Sequence, residues 1–160
     1  MLYDKIKVMN FLWNFMIIRD FHFSDIEDVL AIEYDAFSDP YPVGVLLQLH
    51  ESGAGFIVAE VGRHVVGYVI FWIMDGLGHI IAIAVNSDYR KMHVGSLLLE
   101  KTLKIFHSNN INTVALEVRK SNTPAINFYL KHGFMKVDEE EDYYSDGESA
   151  IIMHYTRMDN

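Results

Sequence analysis

The chain has 160 residues, no cysteine and an apolar fraction of 51%, which are the proportions of one ordinary globular domain. At this length folding buries about 68–70% of the chain's surface, so the core needs neither a disulfide nor a structural metal. The absence of cysteine also excludes thiol nucleophiles and cysteine-ligated zinc. The formal net charge of −9 argues against nucleic acid as a partner and favours cationic ligands.

The longest apolar run, residues 65–74, is too short for a membrane-spanning helix, which requires about 20 residues. We therefore expect a buried strand there and no membrane partner. The apolar stretch after Lys7 is interrupted by asparagines and lacks a small-residue cleavage site, so a signal peptide is not favoured. Residues 1–15 are predicted to be an N-terminal extension and residues 16–160 the domain of a cytoplasmic protein.

The hydrophobic pattern alternates between strand and helix signals along the chain. In chain order it predicts a strand over 17–21, a helix after Ser24, a short helix over 45–50, a hairpin over 55–60 and 65–73, a strand over 79–85, a helix over 93–107, a strand over 113–118, a helix from Asn122 to Gly133, and strands over 134–137 and 150–155. Ser24 and Glu27 form a capping-box pattern, and the acidic stretch 138–142 is predicted to be a loop. This order indicates a mixed sheet with helices on its faces, in an α/β or α+β domain.

A strand-to-helix turn over residues 85–96 contains Arg90, Lys91 and Gly95 at the start of a helix. Helix N-termini present unpaired N–H groups and a partial positive charge, and glycine lets the backbone approach a pyrophosphate closely. Taken alone, the pattern is also typical of an ordinary solvated turn. The chain contains no P-loop motif that would bind a nucleotide elsewhere.

A more specific pattern runs from residue 117 to residue 134, where E-V-R-K-S-N is followed by A-I-N-F-Y and by G-F. Together with the turn at 90–96, it resembles the GNAT acetyltransferase superfamily and its RimI-type branch of protein N-terminal acetyltransferases, over residues 16–155. G-H-I at 78–80 and Y-Y-S-D-G-E at 143–148 are also similar to this branch. The resemblance implies a single-domain GNAT fold with about four helices and a mixed, mostly antiparallel sheet of about seven strands. A splayed parallel pair, 79–85 and 113–118, is expected at its centre.

The resemblance implies acetyl-CoA as the acetyl donor and no metal. The predicted cofactor-binding residues are Ile83, Ala84, Val85, Arg90, Lys91, Met92, His93, Val94, Gly95, Ser96, Asn122 and Tyr129. The backbone of 83–85 would hold the pantetheine arm, and 90–96 would bind the pyrophosphate. His93 replaces a glycine that is usual in the family, and its Cβ penalises a positive φ by about 1–2 kcal/mol. We expect either a turn without positive φ at His93 or weaker CoA binding.

Acetyl transfer to an amine needs a neutral amine, a polarised carbonyl and a proton for the leaving thiolate. The resemblance implies that Glu117 is the general base, acting through a water, and that Tyr129 is the acid. The alternative interpretations are a carboxylate paired with Arg119 or Lys120, and a tyrosine that only packs in the core. The predicted substrate-binding residues are Phe37, Asp39, Tyr41, His79, Tyr143 and Tyr144. His79 has a structural alternative, since it is a lone histidine at the start of an apolar strand.

An α-amino group, with a pKa of about 7.7–8.0, is easier to deprotonate than a lysine at about 10.4, so a modest base suffices for it. Together with the resemblance carried by the motifs at 90–96 and 117–129, this predicts acetyl-CoA-dependent transfer to the α-amino group of protein or peptide N-termini, by direct attack in a ternary complex. Two alternatives stay open: an acetyltransferase for small amines or polyamines, and a non-catalytic acyl-CoA-binding module. Association with the ribosome and the choice between monomer and dimer also stay open.

Overall fold

The computed structural model describes residue 7 and residues 14–158. The predicted extension over 1–15 lies outside the described residues, except at positions 7, 14 and 15. The strands are β1 (Met16–Asp20), β2 (Gly55–Val61), β3 (His64–Met74), β4 (Leu77–Val85), β5 (Thr113–Arg119), β6 (Met135–Glu140) and β7 (Ala150–Thr156). The helices are α1 (Ile26–Ala36), α2 (Val43–Glu51), α3 (Val94–Ser108) and α4 (Thr123–Lys131). The predicted order of elements is confirmed.

Over the described residues the strands form one seven-stranded sheet in the order β1-β2-β3-β4-β5-β7-β6. Strands β4 and β5 are parallel, with Gly78 opposite Val114 and His79 opposite Ala115. The pairs β1–β2, β5–β7 and β6–β7 are antiparallel. The prediction of a mixed, mostly antiparallel sheet with one parallel pair is therefore confirmed, while the splaying of that pair stays a prediction.

The chain folds into two compact units. The first runs to Ile70 and includes Ala82–Lys101, and its core contains Phe21 stacked on Phe56, with ring centroids 4.1 Å apart. Tyr68 of β3 lies next to Phe56 and is completely buried. Aromatic rings from β2 and β3 therefore fill the centre of this unit.

The second unit consists of Phe71–Ile81 and the chain from Thr102 onward. In its core the ring of Phe106 on α3 meets that of Phe71 edge to face, with centroids 5.2 Å apart. A Cβ at Gly78 would lie 2.8 Å from the same Phe106 ring. Only glycine at position 78 therefore lets α3 approach the strand that carries His79.

Two tight hairpin turns have the left-handed backbone that two-residue loops require. Gly62 and Arg63 between β2 and β3 have φ angles of 56° and 72°, and Asp75 and Gly76 between β3 and β4 have φ angles of 53° and 77°. The first turn is the one that the sequence predicts, and the second gives β3 and β4 their tight connection.

Two local predictions are wrong. Residues 138–140 belong to β6 rather than to an acidic loop, because their backbone pairs with β7, where Glu140 lies opposite Ala150. Backbone pairing at the sheet edge overrides the low strand propensity of acidic residues. Asp25, not Ser24, is the N-cap of α1. Its carboxylate accepts two hydrogen bonds from Arg19, at 2.7 and 2.9 Å, and one from the N–H of His22.

Candidate active site

Two of the predicted site residues, His79 and Glu117, form a pair on the parallel strands. His79 on β4 lies opposite Ala115 on β5, and Glu117 follows two residues later, so its side chain points to the same face of the sheet. His79 Nε2 lies 2.6 Å from Glu117 Oε2, within hydrogen-bond distance, and both side chains are partly exposed. The pair can accept and relay a proton while remaining in contact with solvent.

Tyr129, the predicted acid, is buried on α4. Its ring meets those of Phe128 and Phe134 edge to face, with centroids 5.3 and 5.6 Å apart. Burial, and to a lesser degree the nearby Tyr144, raises the pKa of Tyr129 above the ordinary range. A phenol is protonated at neutral pH in any case, and the raised pKa makes Tyr129 a weaker acid. The buried aromatic environment therefore fits the structural alternative, and the acid role stays a prediction.

Tyr144 interacts electrostatically with Glu117. Burial first and the charge of Tyr143 second raise the pKa of Tyr144 to about 12, and the carboxylate of Glu117 contributes to the increase. Tyr144 is thus within electrostatic reach of Glu117. The rings of Tyr143 and Tyr144 meet edge to face with centroids 4.9 Å apart. Tyr143 and Tyr144, two predicted substrate-binding residues, therefore belong to the same unit as Glu117, the predicted base.

Arg119 holds the loop that presents these tyrosines, the β6–β7 loop (residues 141–149). Arg119 Nη1 donates to both carboxylate oxygens of Asp146, at 3.1 and 2.8 Å, and to Glu148 Oε2 at 2.9 Å. The guanidinium carbon lies 4.0 Å from the centroid of the Tyr144 ring. Hydrogen bonds from Ser121, and then from Arg119, lower the pKa of Glu148 to about 2.

These pairs bear on the alternative interpretation of Glu117. Arg119 pairs with Asp146 and Glu148, and Lys120 pairs with Glu139, with 2.6 Å between Nζ and Oε1. The hydrogen bond that the structure gives to the Glu117 side chain is the one with His79. The catalytic role of Glu117 stays a prediction, but ion pairing with Arg119 or Lys120 is not the arrangement found.

The first unit contains the other predicted substrate residues, Phe37, Asp39 and Tyr41, in the α1–α2 loop (residues 37–42). Phe37 is half-buried directly after α1, whereas Asp39 and Tyr41 are exposed. Glu33 of α1, which is not among the predicted site residues, is 1% exposed, and its Oε1 accepts a hydrogen bond from the Tyr41 N–H at 2.7 Å.

The other carboxylate oxygen of Glu33 accepts a hydrogen bond from the Tyr68 hydroxyl. Burial raises the pKa of Glu33, and the Tyr41 N–H partly offsets that increase. The sequence did contain a signal for this residue. Glu33 follows Val29 and Ile32 at the spacing of the buried helix face, where a glutamate needs hydrogen-bond partners.

The predicted pyrophosphate turn lies between β4 and α3. Lys91 and His93 have φ angles of 61° and 62°, both left-handed. Of the two alternatives stated for His93, a turn without positive φ is not the one found, because the turn into α3 imposes this conformation in spite of the Cβ. Val94 begins α3, and the first amides of a helix lack intrahelical acceptors. Weaker CoA binding is the consequence that stays predicted.

Arg90 is partly engaged within the first unit. Its Nε donates to the carbonyl of Val85 at 3.1 Å, and its Nη2 donates to Asp35 Oδ2 on α1, also at 3.1 Å. Asp35 is a partner that no sequence pattern indicated. Asn122, in the second unit, accepts the Ala125 N–H at 3.2 Å and caps α4 as predicted.

Neither a metal centre nor a membrane helix is found in the part of the chain that the structure describes. No group of three or more His, Asp or Glu side chains among those residues could hold a metal ion. None of the helices there combines the length and the apolar character needed to cross a bilayer.

Comparison with known proteins identifies the family. The family model described as "Acetyltransferase (GNAT) family" matches residues 19–134, a range that includes the α1–α2 loop, the turn at 90–96 and the His79–Glu117 pair. The chain belongs to the GNAT acetyltransferase family. The prediction made from the motifs at 90–96 and 117–134 is confirmed.

Similar proteins agree with the predicted branch. The chain is 38% identical over 150 residues to an N-alpha-acetyltransferase of Sulfurisphaera tokodaii, a match that covers 85% of this chain and 90% of that relative. Its structure is similar to that of Ard1 from Thermoplasma volcanium, with a TM-score of 0.86, 33% identity, and 90% and 99% of the two chains covered. It is also similar to the ribosomal-protein-S18-alanine N-acetyltransferase from Escherichia coli, with a TM-score of 0.82, 26% identity, and 91% and 96% covered. The GNAT fold and the resemblance to RimI-type enzymes are both confirmed.

Proposed function

We propose that this GNAT acetyltransferase transfers the acetyl group of acetyl-CoA to the α-amino group of a protein or peptide N-terminus. The observation that carries the proposal is the His79–Glu117 pair, with 2.6 Å between Nε2 and Oε2 and with Tyr144 in electrostatic reach. The similarity to N-alpha-acetyltransferases supports an N-terminus as the acceptor.

The residues of the turn at 90–96 fit a bound pyrophosphate. Left-handed residues such as Lys91 and His93 help to form a concave backbone site for an anion, and the first amides of α3 add donors and a partial positive charge. The backbone of 83–85, Asn122 and Tyr129 remain the predicted contacts to the rest of the cofactor. When bound, acetyl-CoA would supply an activated acetyl thioester.

Glu117 and His79 are proposed to remove the proton from the substrate ammonium. Glu117 would accept that proton, through a water as predicted, and its hydrogen bond with His79 would orient the carboxylate. Tyr129, whose phenol is protonated at neutral pH, would donate a proton to the leaving thiolate. The amine nitrogen forms a bond to the acetyl carbon and the carbon–sulfur bond breaks, so no covalent enzyme intermediate is needed. The second proton that the nitrogen loses as the amide forms balances the proton that Tyr129 gives to the thiolate.

The residues that we propose for substrate binding stay those of the prediction: Phe37, Asp39, Tyr41, His79, Tyr143 and Tyr144. The net charge of −9 suits a cationic ammonium group. The cytoplasm stays our prediction for the location, and ribosome association stays open.

The test is release of free CoA thiol with peptides of varied first residue, run beside spermidine and free lysine. We expect turnover with particular peptide N-termini. Turnover with the small amines alone would support the polyamine alternative, which the negative charge also favours. Stabilisation by CoA without any turnover would support the binding module.

Glu117→Gln and Tyr129→Phe test the residue assignments. Each change should lower kcat by about 10²–10⁴-fold, the range for a lost general base or acid, without abolishing CoA binding. Glu139→Gln, which removes an exposed carboxylate paired with Lys120, is the matched control and should leave kcat unchanged. Full activity of both site variants would contradict the catalytic roles.

A further inference from the structure

One residue, Glu33, holds the α1–α2 loop at both of its ends. The main-chain carbonyl of Glu33 accepts the Phe37 N–H at 3.1 Å, where the loop leaves α1. Its carboxylate accepts the Tyr41 N–H at 2.7 Å, next to the start of α2. The five residues from Phe37 to Tyr41 therefore lie between two hydrogen bonds to the same glutamate.

The Glu33 side chain is itself fixed by the core. The Tyr68 hydroxyl, on a side chain that is completely buried, donates to the carboxylate oxygen that Tyr41 does not use. A buried carboxylate is a weak source of net stability, because its desolvation offsets much of what its hydrogen bonds contribute. The side chain instead determines where the loop lies, because it links Tyr68 on the buried strand β3 to the backbone amide of Tyr41 in the exposed loop.

We propose that Glu33 is a positioning residue for the peptide acceptor, which holds the α1–α2 loop in the conformation that contacts the substrate N-terminus. The inference rests on the proposed function, since Phe37, Asp39 and Tyr41 are the predicted contacts to the peptide. A loop without this anchor has to be ordered when the peptide binds, and that lost entropy weakens peptide binding. The affinity for acetyl-CoA does not depend on this loop.

Three variants separate positioning from folding. Glu33→Leu removes both side-chain hydrogen bonds. Glu33→Gln preserves them, because the amide oxygen can accept the Tyr41 N–H while the amide nitrogen donates to the Tyr68 oxygen. Val29→Ala is the matched control, since it removes buried methyl groups from the same helix and leaves both Glu33 hydrogen bonds in place.

The measurements are KM for the peptide, KM for acetyl-CoA, and hydrogen–deuterium exchange of the Ser38, Asp39 and Tyr41 amides. In Glu33→Leu we expect the peptide KM to rise about tenfold, which corresponds to about 1.4 kcal/mol. The loop amides should exchange faster, and the acetyl-CoA KM should stay unchanged. Glu33→Gln should restore the peptide KM, and Val29→Ala should lower the Tm without changing the peptide KM.

An unchanged peptide KM in a folded Glu33→Leu variant would overturn the proposal. So would an equal rise in both KM values, since that result indicates general loss of structure. If the leucine variant does not fold, Glu33→Asp gives the same test, because the shorter side chain cannot reach both Tyr68 and Tyr41. A wild-type protein that acetylates no peptide would overturn the proposed function as well, and that outcome is seen before any variant is made.

Discussion

Two loops that carry predicted substrate contacts are anchored by opposite kinds of charged residue. The α1–α2 loop is held from inside the protein by the buried carboxylate of Glu33, whose partners are an amide and a phenol. The β6–β7 loop is held near the surface by the guanidinium of Arg119, whose partners are two carboxylates and an aromatic ring. The two anchors perform the same task in different dielectric environments.

The difference determines how each anchor responds to change. In a buried site each hydrogen bond is electrostatically strong, and removing one partner leaves polar groups that water cannot reach. Near the surface each ion pair contributes little, since water and salt screen it and replace a lost partner. We expect the α1–α2 loop to be sensitive to mutation, and the β6–β7 loop to be sensitive to salt and acid.

The largest effect is expected from Glu33→Leu, which leaves the Tyr41 N–H and the Tyr68 hydroxyl without their acceptor. The free energy of unfolding should fall by about 2–5 kcal/mol, as one buried and one partly buried donor lose their hydrogen bonds. Urea denaturation measures this change. Glu27→Leu, at an exposed position of the same helix, is the control and should cost about 1 kcal/mol or less. Equal losses in the two variants would show that burial does not distinguish Glu33.

A smaller effect is expected from Arg119→Met, which keeps the length of the side chain and removes its charge. The free energy of unfolding should fall by about 1–2 kcal/mol, since partly exposed ion pairs and a cation–π contact are lost. Arg119→Lys should not restore stability, because an ammonium group cannot reproduce the planar set of donors. Lys120→Met, next in the chain and in a single exposed ion pair, should be indistinguishable from wild type in the same denaturation experiment. A loss as large as that of Glu33→Leu would contradict the view that surface ion pairs are the weaker anchor.

The fold could be predicted from the sequence wherever the local pattern reflects burial. The apolar run at 65–74 gave β3, and the spacing on α3 gave a helix, because each pattern shows which side chains face the core. The strand β6 could be predicted only in part. Its six residues are all exposed, so its acidic half carries no burial pattern, and pairing with β7 decides its conformation.

The residues of the site could be predicted from the sequence, but the contacts between their side chains could not. The motif around residue 117 identified Glu117 and Tyr129 through resemblance. The contact between His79 and Glu117 depends on the register of two parallel strands, which no local pattern specifies. The partners of Arg119 lie 27 and 29 residues away along the chain, so sequence proximity wrongly suggested Glu117. Glu33 was missed although its place on the apolar face of α1 was visible.

The two loops should also differ in the sign of their response to pH. The pKa of Glu148 is lowered to about 2, so its contribution to stability is present above the ordinary value of about 4.5 and is lost as the pH falls through about 2. The pKa of Glu33 is raised, so its carboxyl favours the folded state most below about 4.5, and this contribution is lost as the pH rises through its folded-state pKa.

Denaturation of Glu148→Gln and Glu33→Gln from pH 2 upward measures these opposite trends. The stability of Glu148→Gln relative to wild type should decrease as the pH rises from about 2 to about 4.5, and that of Glu33→Gln should increase above about 4.5. Parallel curves for the two variants would contradict the difference in environment between the two carboxylates.

The smallest effect is expected from salt. Raising NaCl from about 0.01 M to about 1 M shortens the Debye length from about 30 Å to about 3 Å, which weakens exposed ion pairs more than buried hydrogen bonds. Exchange of the Tyr144 and Gly147 amides, which donate within the β6–β7 loop, should accelerate by about twofold, as expected for pairs worth less than about 1 kcal/mol. The Tyr41 amide should not respond, because its acceptor is buried. In Arg119→Met the salt response of the β6–β7 loop should disappear, since the charge that salt screens is absent. Acceleration of all three amides would show instead that salt acts on the whole fold, and that the two anchors do not differ in their exposure to solvent.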